Sequence, residues 1–162
     1  MSLQLPEKDI NIHGNRSQLS RVFLNMINNA VDSIEENGEI KINVSEYYAE
    51  KIPNGFPDCK TGNYVKIDIS DTGQGIDMNI LKDIFEPFFT TKNMSGTTGS
   101  GLGLTIAREI ISDHSGFITV SSRINQGCTF SLYLPIESAA KDQKESSKRD
   151  SLFTQYKQAA CY

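Results

Sequence analysis

Residues 65–76 read VKIDISDTGQGI, a strand pattern that runs directly into a glycine-containing turn. Apolar side chains at every second position of its first half predict a strand that is buried on one face. Asp71 then places a carboxylate at the strand end, and Gly73 and Gly75 let another molecule approach the backbone closely. Asp and Gly are also common in ordinary turns, so this stretch alone predicts either a binding loop or a simple turn.

Similar one-sided patterns occur on both sides of this stretch. Period-2 alternation of apolar residues predicts further strands at 10–12, 40–44, 118–120 and 128–135. Helical spacing predicts one helix that begins after Asn15 and ends at Asn37-Gly38, and a second from about Leu102 to Ser115-Gly116. The intervening segment 47–63 contains two proline turns and is expected to be a loop.

Strands with one apolar face and helices with one apolar stripe predict an α+β fold. We expect a two-layer α/β sandwich, in which helices cover one face of a mixed, mainly antiparallel sheet of about five strands. A βαβαβ alternation is not visible in the pattern, and a doubly wound fold is therefore disfavoured.

The composition predicts one globular domain with a polar tail. The chain has 162 residues, of which 38% are hydrophobic and 22% charged. We expect the folded domain at residues 4–137 and a flexible polar linker or tail at 138–162, where mixed charges replace apolar residues. Three widely spaced cysteines suit neither a disulfide framework nor a zinc cluster, which favours a reducing, cytoplasmic setting.

Charge and hydropathy limit the classes of partner. The net charge of −4 lies mainly outside the basic tail, and an acidic body argues against nucleic acid as the main partner. No apolar run approaches the roughly 20 residues that span a bilayer, so we expect no membrane contact by this segment.

Polar residues also line one face of the first predicted helix. Asn25, Asn29 and Asp32 are spaced i, i+4, i+7, which places them on one side of a helix. Asn side chains offer a carbonyl oxygen for Mg²⁺ and N–H donors for phosphate oxygens. A solvated helix face would show the same pattern, so both interpretations stay open.

Two further segments are not explained by core packing. Residues 85–92 read FEPFFTTK and lead into small polar residues, which suggests a hinged flap that carries Lys92. Residues 99–104 read GSGLGL and open the second helix, where exposed backbone N–H groups favour an anion such as phosphate. This glycine run matches neither a Walker A loop nor a Rossmann fingerprint.

The order of these segments resembles the ATP-binding catalytic domain of two-component sensor histidine kinases. That domain belongs to the superfamily of DNA gyrase, heat-shock chaperone and mismatch-repair ATPases, whose ATP-binding fold is often called the Bergerat fold. Residues 24–30 resemble the N box, 71–76 and 99–104 the two glycine boxes, 85–92 the F box, and 127–130 the closing Gly-x-Thr-Phe. Together these matches cover about residues 10–135.

The resemblance implies a role for each matching residue. Asp71 would accept a hydrogen bond from the adenine amino group, and Asn29 would hold Mg²⁺. Asn25, near the phosphates, and Lys92, reaching the γ-phosphate from the lid, are the implied catalytic residues. The implied nucleotide-binding residues are Asn29, Asp32, Asp71, Gly73, Gly75, Ile76, Phe88, Thr91, Lys92, Gly99, Gly101, Leu102, Gly103, Leu104 and Thr129.

The implied reaction is transfer of the γ-phosphoryl group of Mg·ATP to a histidine on a separate dimerisation domain, with a response regulator downstream. His13 and His114 lack the following acidic residue of the family's acceptor motif, so we expect structural roles for both; at a helix end, positive charge on His114 would be favourable. Asn25 stands where hydrolysing relatives carry a Glu base, which lowers the weight of an ATPase function. A degenerate interaction module that no longer binds nucleotide is the other alternative.

Overall fold

The computed structural model describes residues 1–90 and 100–137. Its elements, in chain order, are β1 (Ser2–Gln4), α1 (Arg16–Ser33), β2 (Ile40–Ala49), β3 (Gly62–Asp71), α2 (Gly103–Asp113), β4 (Phe117–Ser122) and β5 (Cys128–Pro135). The five strands form one sheet in the order β1-β2-β3-β5-β4. β1 pairs with β2 in parallel, and the other three pairings are antiparallel.

The hydrophobic core lies between the two helices and one face of the sheet. In β3 and β5 the apolar side chains alternate, and the register pairs Ile69 with Phe130 and Ile67 with Leu132. From the helices, Met26 of α1 and Ile111 of α2 are fully buried against this face. Because the apolar sides of both helices pack on the same face of the sheet, the helices and the sheet form two layers. The predicted two-layer α+β fold is confirmed.

Two predicted boundaries are wrong, because tertiary contacts replace the local pattern. α1 ends at Ser33 instead of Asn37-Gly38; Ile34 is extended, and the Ser33 carbonyl accepts a hydrogen bond from the Gln74 N–H at 3.0 Å. The predicted loop 47–63 is shorter, because β2 and β3 stay paired as far as Ala49 and Gly62. The sheet ladder thus extends through residues whose sequence favours a turn.

The predicted first strand is also wrong. Residues 10–12 form no strand, and Ile12 makes a single antiparallel bridge to Ile136. The edge strand is instead β1, whose three side chains are all exposed, so it has no apolar alternation by which to recognise it. Residues 91–99 and the predicted tail 138–162 lie outside the described residues. Neither helix in the described ranges has the length and apolar character needed to cross a membrane.

A histidine joins the C-terminal end of α2 to the N-terminal end of α1. His114 Nε2 lies 2.9 Å from the backbone N of Asn15, which donates to it, and His114 Nδ1 lies 2.6 Å from the Ile110 carbonyl oxygen. Only a neutral imidazole with its proton on Nδ1 can make both hydrogen bonds. Asn15 in turn caps α1, accepting at Oδ1 from the backbone N–H groups of Ser17 and Gln18. The structural role expected for His114 is present, but as a neutral acceptor rather than a cation.

We predict that His114→Leu lowers the free energy of unfolding by about 0.5–1.5 kcal/mol, because it removes the acceptor of the exposed Asn15 N–H and the hydrogen bond between the two helix ends. The measurement is urea unfolding followed by circular dichroism. His13→Leu is the matched control, since His13 is exposed. An equal effect of the two substitutions would contradict the interhelical role of His114.

Candidate functional site

A cavity of about 630 Å³ lies between the two helices, at the end of the sheet where β3 ends and β5 begins. α1 forms one wall and the start of α2 another, while residues 74–90 close a third side. The structure brings together the following predicted site residues along this cavity: Asn25, Asn29, Asp32, Asp71, Gly75, Ile76, Gly101, Gly103 and Leu104.

Asp71 is the charged group at the sheet end of the cavity. It is the last residue of β3 and is only 7% exposed. Its Oδ1 accepts hydrogen bonds from the Gly73 backbone N–H at 2.8 Å and from the Ser33 hydroxyl at 2.9 Å. A buried carboxylate is tolerated only when such donors compensate for lost hydration. The two donors therefore fix the carboxylate at the cavity wall.

The glycine turn after β3 keeps the backbone close to its neighbours. Gly75 has a φ of +70°, a conformation that glycine adopts without strain, and a Cβ there would collide with the Arg123 carbonyl. The adjacent Ile76 N–H donates to the Ser122 hydroxyl at 2.8 Å. The turn is thus packed against the β4–β5 connection. Gly73 does not line the cavity; it contributes through its N–H bond to Asp71.

The start of α2 lies opposite Asp71 and is tied to α1. The Asn25 side-chain amide donates to the Gly103 carbonyl at 3.0 Å, which joins the N-terminal end of α2 to the middle of α1. Leu102 is the N-cap residue and makes no side-chain capping bond. The Leu102 side chain therefore does not cap the first N–H groups of α2. These N–H groups carry partial positive charge and favour a negatively charged ligand.

The segment that precedes residue 91 contacts Gly101, two residues before α2 begins. The Phe88 N–H donates to the Gly101 carbonyl at 3.0 Å, and a Cβ on Gly101 would lie 2.7 Å from the Phe88 Cα. Gly101 also has a φ of +67°, so a glycine is required here on both counts. The Phe88 side chain points outward and is 73% exposed. The predicted site residues Thr91, Lys92 and Gly99 lie outside the described residues.

Four of the predicted site residues that the structure describes do not line the cavity: Gly73, Phe88, Leu102 and Thr129. Thr129 pairs with Ser70 on the opposite face of the sheet, where their hydroxyl oxygens are 2.8 Å apart. Its neighbours Cys128 and Phe130 point toward the helices and line the cavity. Strand alternation is the physical reason, because residue 129 must face away when 128 and 130 face inward.

Ser33 and Cys128 are two of the cavity residues that were not predicted from the sequence. Ser33 lines the cavity and donates to Asp71, but a serine near a helix end carries no distinguishing signal. Cys128 is 5% exposed and lies opposite Asp71 in the strand register. Burial raises the pKa of the Cys128 thiol to about 12, and the charge of Asp71 contributes to the same effect. The alternation of β5 could have identified Cys128, since Asp71 and its partner must share a face.

Oxygen atoms of polar side chains along α1 could act as ligands of an Mg²⁺ ion that is bound together with a nucleotide. Asn25, Asn29 and Asp32 bring amide and carboxylate oxygens to the cavity wall, and Mg²⁺ prefers such oxygen ligands. Within residues 1–90 and 100–137, no three His, Cys, Asp or Glu residues are grouped so that they could hold a metal ion. Mg²⁺ commonly uses one or two protein oxygens together with phosphates and water, so the available donors fit that arrangement.

The sequence matches a known protein family over most of its length. The family model of histidine kinase-, DNA gyrase B- and HSP90-like ATPases covers residues 14–138. Among curated proteins, the chain is 39% identical over 125 residues to the signal transduction histidine-protein kinase AtoS of Escherichia coli K12. That alignment includes 77% of this chain but only 18% of AtoS. The chain therefore corresponds to a small part of this relative.

Solved structures share the fold. The catalytic domain of the histidine kinase ThkA superposes with a TM-score of 0.64 at 30% identity, over 83% of this chain and 78% of that domain. Full-length ShkA in complex with AMPPNP superposes with a TM-score of 0.65 at 25% identity, over 86% of this chain and 26% of ShkA.

The raised pKa of Cys128 predicts an unusual alkylation profile. Only the thiolate reacts with iodoacetamide, so the alkylation rate of Cys128 follows the fraction of thiolate. In the native chain this rate should rise about tenfold per pH unit and should not level off below about pH 10.5. Peptide mapping by mass spectrometry gives the rate for this residue. In the urea-unfolded chain the same thiol should level off near its ordinary pKa of 9.0. A plateau near pH 9 in the native chain would contradict the assignment, whereas steric shielding alone would lower the rate without moving the midpoint.

Proposed function

Because the chain belongs to the family of histidine kinase-, DNA gyrase B- and HSP90-like ATPases, we propose that it binds Mg·ATP and donates the γ-phosphoryl group to a histidine on a separate dimerisation domain. One observation carries this proposal: the buried Asp71 carboxylate faces the same cavity as the amide-rich wall of α1 and the start of α2. The cavity thus offers an acceptor at one end and donors for phosphates at the other.

Asp71 accounts for recognition of the adenine base. A carboxylate accepts hydrogen bonds and cannot donate them, so it pairs with an exocyclic amino group. Adenine has an amino group at position 6, where guanine has a carbonyl oxygen. The apolar side chains of Ile76, Ile84 and Phe130 line the same cavity and provide surfaces against which a flat base can pack.

The phosphates would lie between α1 and the start of α2. The N-terminal N–H groups of α2 favour negative charge, and Asn29 would bind Mg²⁺ through its amide oxygen. Held by Asn29, Mg²⁺ would neutralise part of the phosphate charge. Asp32 lies one turn further along the same helix face. Thr91, Lys92 and Gly99, which lie outside the described residues, are included in the proposed site because of the family resemblance alone.

Asn25 favours phosphoryl transfer over hydrolysis. An amide cannot act as the general base that activates water, and the Asn25 side-chain nitrogen is already bonded to the Gly103 carbonyl. In the proposed role, Asn25 keeps the start of α2 in place beside the phosphates. The reaction then depends on an imidazole nitrogen that attacks the γ-phosphorus as the bond to the ADP oxygen breaks.

The acceptor and later partners belong to a longer protein. AtoS is named a signal transduction histidine-protein kinase, and this chain spans 18% of its length. We propose that residues 4–137 are the cytoplasmic catalytic domain of such a kinase, whose parent could carry a membrane anchor. Its partners are the dimerisation domain and a response regulator, while nucleic acid and membrane are not expected to contact this segment.

We predict that Asp71→Asn weakens ATP binding by roughly 10- to 100-fold, because the amide no longer supplies a charged acceptor. Calorimetric titration with a non-hydrolysable ATP analogue in the presence of Mg²⁺ measures the change. GTP should bind the unmodified chain far more weakly than ATP. Asp58→Asn, at an exposed loop position, is the control and should bind as the unmodified chain does. Equal affinities for ATP and GTP would rule out the role of Asp71, and a chain that binds no nucleotide would favour the interaction module.

We also predict Mg²⁺-dependent transfer of labelled γ-phosphate from ATP to the dimerisation domain of the parent kinase, as an acid-labile phosphohistidine. Asn29→Ala should reduce the transfer rate by roughly 100-fold at saturating ATP, because Mg²⁺ loses its protein ligand. Asn43→Ala is the matched control, on the solvent-facing side of β2. Formation of free phosphate without any phosphohistidine would instead support the ATPase alternative.

A further inference from the structure

We infer that Ser33 is a positioning residue for recognition of the nucleotide base: its hydroxyl holds the Asp71 carboxylate so that Oδ2 is presented to the ligand. This inference rests on the proposed function, since it concerns the same cavity. It identifies a residue in the last turn of α1 that contributes to base selectivity through Asp71.

The contacts of the Ser33 side chain are short and specific. Ser33 Oγ lies 2.9 Å from Asp71 Oδ1 and 2.8 Å from the Ala30 carbonyl oxygen. Asp71 Oδ1 also accepts the Gly73 N–H at 2.8 Å. Three elements therefore meet at one carboxylate oxygen: the end of α1, the end of β3 and the glycine turn.

The position of the hydroxyl proton follows from these distances. The Ser33 hydroxyl has one proton and two nearby oxygens. If the proton pointed only at Ala30, lone pairs of Ser33 Oγ and the Asp71 carboxylate would face each other at 2.9 Å. Donation toward Asp71 avoids this repulsion and forms the stronger, charge-assisted hydrogen bond, with Ala30 as a secondary acceptor.

Two donors on Oδ1 determine which oxygen meets the base. Both bonds lie on the same atom, which restricts rotation of the carboxylate about its Cβ–Cγ bond. Oδ2 is then the oxygen that accepts from an amino group in the cavity. Without the Ser33 hydroxyl, only the Gly73 N–H would restrain Oδ1, and part of the ligand's binding energy would be needed to orient the carboxylate.

The backbone around Ser33 is held independently of its hydroxyl. The Ser33 carbonyl accepts from the Gln74 N–H at 3.0 Å, and Gln74 Nε2 donates to Glu35 Oε1 at 2.6 Å. Gly73 packs so closely on Ser33 that a Cβ at position 73 would not fit. Removal of the hydroxyl should therefore leave the helix end and the glycine turn together, and should change mainly the orientation of Asp71.

The test compares two ligands that differ only at the base. ATP carries the 6-amino group, and purine riboside 5′-triphosphate has hydrogen in its place. Calorimetric titrations with Mg²⁺ give both dissociation constants for the unmodified chain and for Ser33→Ala. We expect Ser33→Ala to weaken ATP binding by about tenfold, a typical effect of a charge-assisted hydrogen bond, and to change binding of the analogue less than about twofold.

Controls separate a positioning role from a structural one. Ser20→Ala lies on the exposed face of the same helix and should leave both ligands unaffected. Ser33→Cys fills a similar volume with a weak donor, so it should show the same selective loss if Ser33→Ala does not fold. An equal loss for both ligands, or no loss for either, would overturn the inference. If the unmodified chain bound neither ligand, the proposed function itself would fail, and the inference would fail with it.

Discussion

In the antiparallel ladder between β3 and β5, Asp71 is paired with Cys128 and Ser70 with Thr129. Successive side chains of a strand point to opposite faces, so this register decides which residues reach the helices. Asp71, Cys128 and Phe130 face the cavity, whereas Thr129 faces away from it. A shift of one residue would exchange the two sets and remove the carboxylate from the site. The buried alternation of apolar residues along both strands prevents that shift, because it would expose Ile69 and Leu132.

Hydrogen bonds join the two helices at both ends of α2. Asn25 bonds to the Gly103 carbonyl where α2 begins, and His114 accepts from the Asn15 N–H where α2 ends. Between these bonds, the buried Met26 and Ile111 contribute to the common core. The walls of the cavity are therefore set by contacts that do not involve a ligand. Such a preformed site loses little conformational entropy when it binds.

Asp71 combines a stability requirement with a functional one. A carboxylate that is only 7% exposed requires hydrogen-bond donors, and Ser33 and Gly73 supply them. The same donors orient the group toward the cavity. The end of α1, the glycine turn and the strand end must therefore fold together for the site to exist, which explains why α1 stops at Ser33 to meet Gln74 instead of continuing to Gly38.

The sequence by itself determined the family, the two-layer fold and nine of the cavity residues. Alternation and helical spacing report burial on one side, and the spacing of Asn25, Asn29 and Asp32 places them on one helix face whatever the rest of the chain does. Tertiary structure alone decided the end of α1, the length of β2 and β3, the edge strand β1, and the contribution of Ser33. These features depend on hydrogen bonds between residues distant along the chain, such as Ser33 with Asp71, Gln74 with Ser33, and Ser2 to Gln4 with β2. Local sequence patterns do not reveal such partners, because the sequence of a serine or of an exposed tripeptide is the same whether or not a distant partner is present.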